Sequence, residues 1–494
     1  MPTLTRPRSV ALLEVAAIVA VVSQAALLIV VAPAQWWLGF ALIVAATLVV
    51  LGAVRPALLV SVAVLVRPLL DGLSQSVVGG QSGANPAGML GLLLVVTLVV
   101  YAVVNRHVFQ PSATRVWVVV LLVSCLSALN GVAGLDGALG LKPIGEVVRI
   151  VALFAVYLLT ANLFALQERC ERLFVLVGLS AVLPALDGLY DLWITGPDHA
   201  EGVSTETIGR IGGTFSGPIP FSTYLAITGL TLVFLPKERL SAWIRFPALT
   251  VIMTALVGTY TREGWIVFML GLTILAWRQH KRVLLVAFVV VAVLVASIPT
   301  VGDRVLPSRG NSDRGKTFES YDWRIDTWNT LLKKWANDSP VVGFGLKSVP
   351  EVNPRKLRVE GQAPRGFDAH NSVVKLLVEG GVLLLAAYIA FFVVLLRTSR
   401  RLARAKWPLQ PYARIVFVLW TAAAVVGVFT DDILSATASL FAVLALTGAL
   451  EGAYRHWLSN GGDDDEPPAP EVAPQPDTGD TGGHVVSRPA VPVG

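Results

Sequence analysis

Three short stretches of this 494-residue sequence combine residue types that could do chemistry. The first is Gly258-Thr259-Tyr260-Thr261-Arg262-Glu263-Gly264-Trp265, a tight turn between two apolar runs, where Arg262 has no long loop to lift it into water. The second is Arg324, near the start of the segment Asp322–Asn337 (DWRIDTWNTLLKKWAN). The third is Asp368-Ala369-His370-Asn371-Ser372, which leads directly into another apolar run and holds one of only 6 histidines. A guanidinium is a planar, permanent cation suited to phosphate. A neutral imidazole can take a proton near neutral pH. Two fixed cations and one titratable base match what transfer from a polyprenyl diphosphate requires. The cations stabilise the departing diphosphate without a metal, and the base accepts the proton of the attacking hydroxyl.

Each residue also has a plainer reading. Arg262 could snorkel to headgroup phosphates. Arg324 could pair with Asp322 or with a phospholipid. His370 could serve as a structural hydrogen-bonder or helix cap. The chemical reading gains from their shared position, because all three are expected at the same membrane face.

That expectation rests on the elements that must carry them. The chain is 54% hydrophobic and only 15% charged, with a mean hydropathy of +0.68, so most of it must sit in lipid. Apolar runs of spanning length are read at 10–31, 36–54, 57–70, 88–105, 115–130, 145–163, 171–194, 217–235, 244–260, 263–278, 281–298, 371–397, 412–430 and 433–452. The fold class is therefore all-α: a polytopic transmembrane helical bundle of about 12–14 spans. The first run is too long for a cleavable signal peptide and lacks a small-x-small site, so it should persist as a helix.

Basic residues orient the bundle. Arg55, Arg106 with Arg115, Arg169 with Arg172, Lys237 to Arg245, Arg278 to Arg282, and Arg397 to Lys406 all fall on one side. Both termini then lie in the cytoplasm of a multi-pass cytoplasmic (inner) membrane protein. The opposite face receives one large extracytoplasmic loop, 299–370, between bundle segments 1–298 and 371–459. Within that loop Asp322–Asn337 reads as an amphipathic helix. Trp328, Leu331, Leu332 and Trp335 share one face, which suits a helix lying at the headgroup level. The stretch 460–494, rich in Pro, Gly and Asp, has no hydrophobic period and is expected to be disordered.

Several functions lose support on the same grounds. The net charge of +6 follows from the positive-inside bias, and no basic patch suggests nucleic acid. The 2 cysteines, Cys125 and Cys170, have no plausible partner. No phosphate-cradling Gly-rich loop supports nucleotide use. Asp187 with Asp191, and Asp431 with Asp432, could serve an acceptor or a metal, but helix-end solvation explains them better. No cofactor and no metal are expected.

A family resemblance adds to this reading. The stretch 321–385 resembles the O-antigen ligase and Wzy-type polymerase superfamily, in which an Arg-x-x-x-Trp segment precedes a Pro-x-x-Gly-x-Gly turn and a His-Asn-x9-Gly segment. Here these read Arg324 to Trp328, Pro340-Val341-Val342-Gly343-Phe344-Gly345, and His370-Asn371 with Gly381. Upstream, Thr261-Arg262-Glu263-Gly264 looks like the family's Ser-Arg-Gly-Gly turn, and Arg210-Ile211-Gly212-Gly213-Thr214-Phe215 resembles its Arg-x-x-Gly-Thr-Phe segment. Thr261 and Glu263 depart from the family's Ser and Gly, and Glu263 beside Arg262 could weaken anion binding.

The resemblance implies a GT-C-like, metal-independent, inverting glycosyltransferase acting at the outer face of the membrane. Its donor would be an undecaprenyl-diphosphate-linked glycan and its acceptor a glycan or lipid of the cell envelope, with other polysaccharide-assembly proteins as further partners. His370 takes the catalytic position, Arg262 and Arg324 the diphosphate-binding positions, and Arg210, Asp368 and Asn371 a second tier. A transporter or exporter of a lipid-linked sugar or anionic solute stands as the alternative. Few central charges in the spans and no visible inverted repeat argue against it.

Overall fold

A computed structural model describes residues 52, 54–76, 86–134, 139–195, 210–277, 281–282, 284–285, 289, 321–354, 356–357, 365–366, 368–427 and 437–462. The described residues are helical apart from turns and a hairpin of two-residue strands, β1 (Lys356–Leu357) and β2 (Arg365–Gly366), paired antiparallel. Upstream of the large loop the helices are α1 (Pro56–Ser76), α2 (Pro86–Val104), α3 (Thr114–Ala133), α4 (Lys142–Leu163), α5 (Gln167–Leu179) and α6 (Val182–Tyr190), followed by α7 (Pro218–Phe234), α8 (Ala242–Gly258) and α9 (Arg262–Ala276). The loop contributes α10 (Tyr321–Asp338) and the single turn α11 (Val349–Val352). The chain then continues through α12 (Ser372–Arg404), α13 (Gln410–Gly427) and α14 (Thr437–Ser459).

Five described segments are long and apolar enough to cross a membrane: α2, α3, α4, the stretch Gln167–Ile194, and α12. The chain is thus a polytopic helical bundle. Apart from 171–194, the expected segments from 57–70 to 263–278, and the three after 370, fall on helices where they are described. Those at 10–31 and 281–298, with nearly all of 36–54, lie outside the described residues, as does the proline-rich stretch beyond 462.

Two expected spans differ from what forms. The segment 171–194 is not one helix: α5 stops at Leu179, the chain turns at Ser180-Ala181, and α6 restarts before a π-turn over Asp191–Thr195. Pro184 explains the break, because it has no N–H to return to the Ser180 carbonyl. At the break the Ser180 hydroxyl donates to the Val177 carbonyl at 2.7 Å and meets the Tyr224 hydroxyl of α7 at 2.5 Å. The second difference is in α12, which is interrupted at Gly381 (φ 65°, ψ −165°).

A large apolar core unites the bundle helices, with Trp117, Phe154, Phe391, Phe392 and Trp420 in a chain of tilted and edge-to-face ring contacts. Such pairs contribute about 0.5–1.5 kcal/mol each beyond area burial. Between lipid-embedded helices that packing carries much of the association.

Several of the basic turns meet at one end of this bundle. The Ser112 hydroxyl meets that of Thr398 at 3.0 Å, Arg239 pairs with Glu171 at 2.6 Å, and Arg401 lies over the Tyr454 ring at 5.2 Å. The starts of α7, α9 and α12 lie at the opposite end. Gly264 rests against Ser222 and Gly271 against Leu230, so α7 and α9 run parallel and begin together.

Candidate functional site

Four segments distant in sequence meet where those helices begin. Arg210 donates from Nε to the Thr259 carbonyl at 3.2 Å and from Nη2 to the Thr261 hydroxyl at 2.9 Å. The Ile211 amide adds a bond to the Gly258 carbonyl at 3.3 Å. The Arg210 segment is therefore bolted onto the turn that presents Arg262. In that turn Tyr260 adopts a left-handed backbone (φ 47°) and Trp265 reaches back from Nε1 to the Leu256 carbonyl at 2.9 Å, while buried Thr261 precedes the helix. Arg262 is the first residue of α9 and is exposed.

Arg324 arrives from the other direction, on α10. Its Nη1 lies 4.0 Å from Glu263 Oε1, the residue next to Arg262. One turn along α10, Trp328 donates from Nε1 to the Ala369 carbonyl at 2.7 Å. The two arginines and the histidine expected from sequence are thus joined by direct contacts of their neighbours.

The apolar face of α10 corrects one expectation. Leu331 is 0% exposed, and with Trp328, Leu332 and Trp335 it packs on Val349, Val352, Ala369, Val374 and Val378 rather than on a lipid surface. The loop's own residues and the first turns of α12 supply the apolar partner that the isolated helix would have sought from a membrane.

His370 sits half-buried in a left-handed backbone (φ 48°) between two fixed neighbours. On one side Asp368 accepts the Ala369 amide at 2.8 Å through Oδ1 and the Lys375 ammonium at 2.8 Å through Oδ2. On the other, Asn371 caps α12, its side-chain oxygen accepting the amides of Val373 (2.9 Å) and Val374 (3.0 Å). Asp368 and Asn371 therefore act on the backbone that presents His370.

The glycines of the resembling motifs have a physical role at the α12 interruption. The turn Pro340–Gly345 lies against the break, where the Phe344 and Gly345 amides donate to the Val378 and Glu379 carbonyls at 2.8 and 2.9 Å. In return the Val382 amide donates to the Pro340 carbonyl at 3.1 Å. Backbone groups freed by the broken helix are so satisfied inside the protein. Any side chain at Gly381 would put its Cβ 2.1 Å from the Val341 carbonyl oxygen, on a backbone that only glycine adopts comfortably. Asn130 and Ser127 of α3 hold the same junction, donating to the carbonyls of Gly343 and Glu379 at 2.7 Å each.

Several residues of this end went unnoticed in the sequence. Lys375 and Glu379 stand four apart within an apolar run, and both are buried. Glu146 of α4 pairs with Arg149 and, at 3.2 Å, with Lys347 beside the glycine turn. Charges at helical spacing inside an apolar run were the available signal. Asp187 and Asp191 are exposed, and among the described residues no cluster of His, Cys, Asp and Glu is built to hold a metal.

An apolar cavity of about 250 Å³ opens beside the start of α12. Ser372 and Val373 line one part of it, and Leu376, Tyr388, Phe392 and Ala424 line the rest between α12 and α13. Its polar margin is two residues from His370.

Site and fold together define a multi-pass helical membrane protein with a polar cluster where several helices begin. Residues 246–389 match the family model described as O-antigen ligase. The match takes in the Arg262 turn, Arg324, the glycine turn, His370 and the interruption of α12, so this part of the chain matches the O-antigen ligase domain that its motifs resemble. The Arg210 segment lies upstream of the matched residues. No curated protein matches the chain.

Proposed function

We propose that this protein transfers or polymerises a glycan from a polyprenyl-diphosphate donor onto an envelope acceptor at the outer face of the cytoplasmic membrane, with inversion and without a metal. The observation that carries the reading is the contact path from Arg210 through the Arg262 turn to Arg324, and from the Arg324 helix to the carbonyl preceding His370. Arg262 and Arg324 hold the donor diphosphate, aided by the N-terminus of α9, whose positive dipole end favours an anion. Arg210 keeps their turn in shape. The cavity beside α12 takes the first isoprene units, because its lining is apolar and includes Ser372, two residues from His370.

In the transfer step the acceptor hydroxyl attacks the anomeric carbon while His370 takes its proton. The bond from that carbon to the phosphate oxygen breaks, and the electron pair leaves with the prenyl diphosphate. Cations beside that oxygen lower the barrier by stabilising the charge that develops on it. The left-handed backbone at His370, held by Asp368 and the Asn371 cap, pre-positions the base.

A cellular test is direct. Deletion of the gene should cause lipid-linked glycan to accumulate, and complementation with wild type but not with His370→Ala should restore the mature product. Unchanged envelope glycan in the deletion strain would contradict the reading, and rescue by His370→Ala would remove the catalytic base.

A further inference from the structure

The Arg262 turn departs from the resembling pattern at Glu263, and the structure gives that departure a use. Glu263 follows Arg262 as the second residue of α9, where a carboxylate is favoured by the helix N-terminus. Its side chain is 19% exposed, reaches towards α10, and stands 4.0 Å from the Arg324 guanidinium. A carboxylate thus follows one cation assigned to the donor diphosphate in the chain and stands 4.0 Å from the other. The separation is at the outer limit of an ion pair, so Arg324 can still turn its remaining donors to a ligand.

We propose that Glu263 is a product-release residue: it sets the anion affinity of the arginine pair so that the spent prenyl diphosphate leaves. The inference rests on the assignment of Arg262 and Arg324 to the diphosphate. Charge changes during transfer in a definite way. The donor diphosphate is esterified at both ends and carries two ionised oxygens. After the anomeric C–O bond breaks, the terminal phosphate keeps the electron pair and becomes a monoester, so the product gains up to one further negative charge. Bare arginines would bind that product more tightly than the donor and stall turnover. A nearby carboxylate repels both ligands, but the more highly charged product more strongly. It also offers Arg324 a partner when the anion departs.

The test compares wild type, Glu263→Gln and Glu263→Asp in nanodiscs, using farnesyl diphosphate as product probe and a farnesyl-diphosphoryl sugar as donor probe. The Gln variant keeps the size and polar contacts of the side chain but removes its charge. Affinity for the product probe should rise by about tenfold in Glu263→Gln, and affinity for the donor probe by no more than about fivefold. Steady-state turnover should fall after a normal first cycle, and the Asp variant should behave like wild type. Equal gains for both probes, unchanged affinity, or weaker product binding in Glu263→Gln would overturn the inference while leaving the diphosphate site in place. Failure of wild type to bind either probe would remove the diphosphate assignment and this inference together.

Discussion

Two parts of the same polar end are built in opposite ways. Around His370 the chain is held by several bonds: the Asn371 cap, the Asp368 bridge to Lys375, the Trp328 bond, and the exchange of amides and carbonyls between the glycine turn and α12. Around Arg262 and Arg324 the side chains are looser, with Arg262 exposed and Arg324 only 4.0 Å from its acidic neighbour. A base must meet a hydroxyl at one place and angle, which rewards rigidity. Cations that must exchange a carboxylate or water for a diphosphate benefit from open donors. Under the proposed function the contrast is that of a fixed base facing an adjustable anion site.

The sharpest way to break the rigid half is Gly381→Ala. Its Cβ would lie 2.1 Å from a carbonyl oxygen on a backbone reserved for glycine, so the turn and α12 must separate. Loss of several kcal/mol of stability is expected, read as a large fall in thermal midpoint together with loss of transfer. Normal stability would mean that the junction is not held as described.

The adjustable half should respond differently. Arg324→Ala should leave the fold intact and weaken donor binding by about tenfold to a hundredfold, the range of a charge-assisted hydrogen bond lost. The measurement is donor affinity alongside the thermal midpoint. A drop in stability with unchanged affinity would assign Arg324 to structure.

The smallest expected effect sharpens the rigid half again. Asn371→Ala removes the α12 cap and should cost about 1 kcal/mol in unfolding experiments. Its transfer rate should fall more than its donor affinity does, since the cap steadies the His370 backbone and not the arginines.

These contrasts mark where sequence was informative. The basic turns and apolar runs located the bundle and its two ends, because lipid imposes length and charge rules on each segment separately. Arg262, Arg324 and His370 could be singled out by type and position. What periodicity could not supply was the partner of each face. The Trp328–Trp335 stripe read as a surface-seeking face because Val349, Val352 and Val378 come from elsewhere in the chain. The break at Gly381 looked like one more small residue in a span, since its cause is the distant Val341 carbonyl. Pro184 did carry a local sign of the α5–α6 break, outweighed by the apolar run around it. The path from Arg210 to His370 is wholly tertiary.

The most direct test of a fixed base beside an adjustable anion site is single-turnover transfer and donor binding by purified His370→Ala in nanodiscs. The account predicts that the transfer rate falls by roughly a hundredfold to ten-thousandfold while donor affinity stays within about twofold of wild type. Transfer at the wild-type rate, or loss of donor binding equal to the loss of rate, would contradict it.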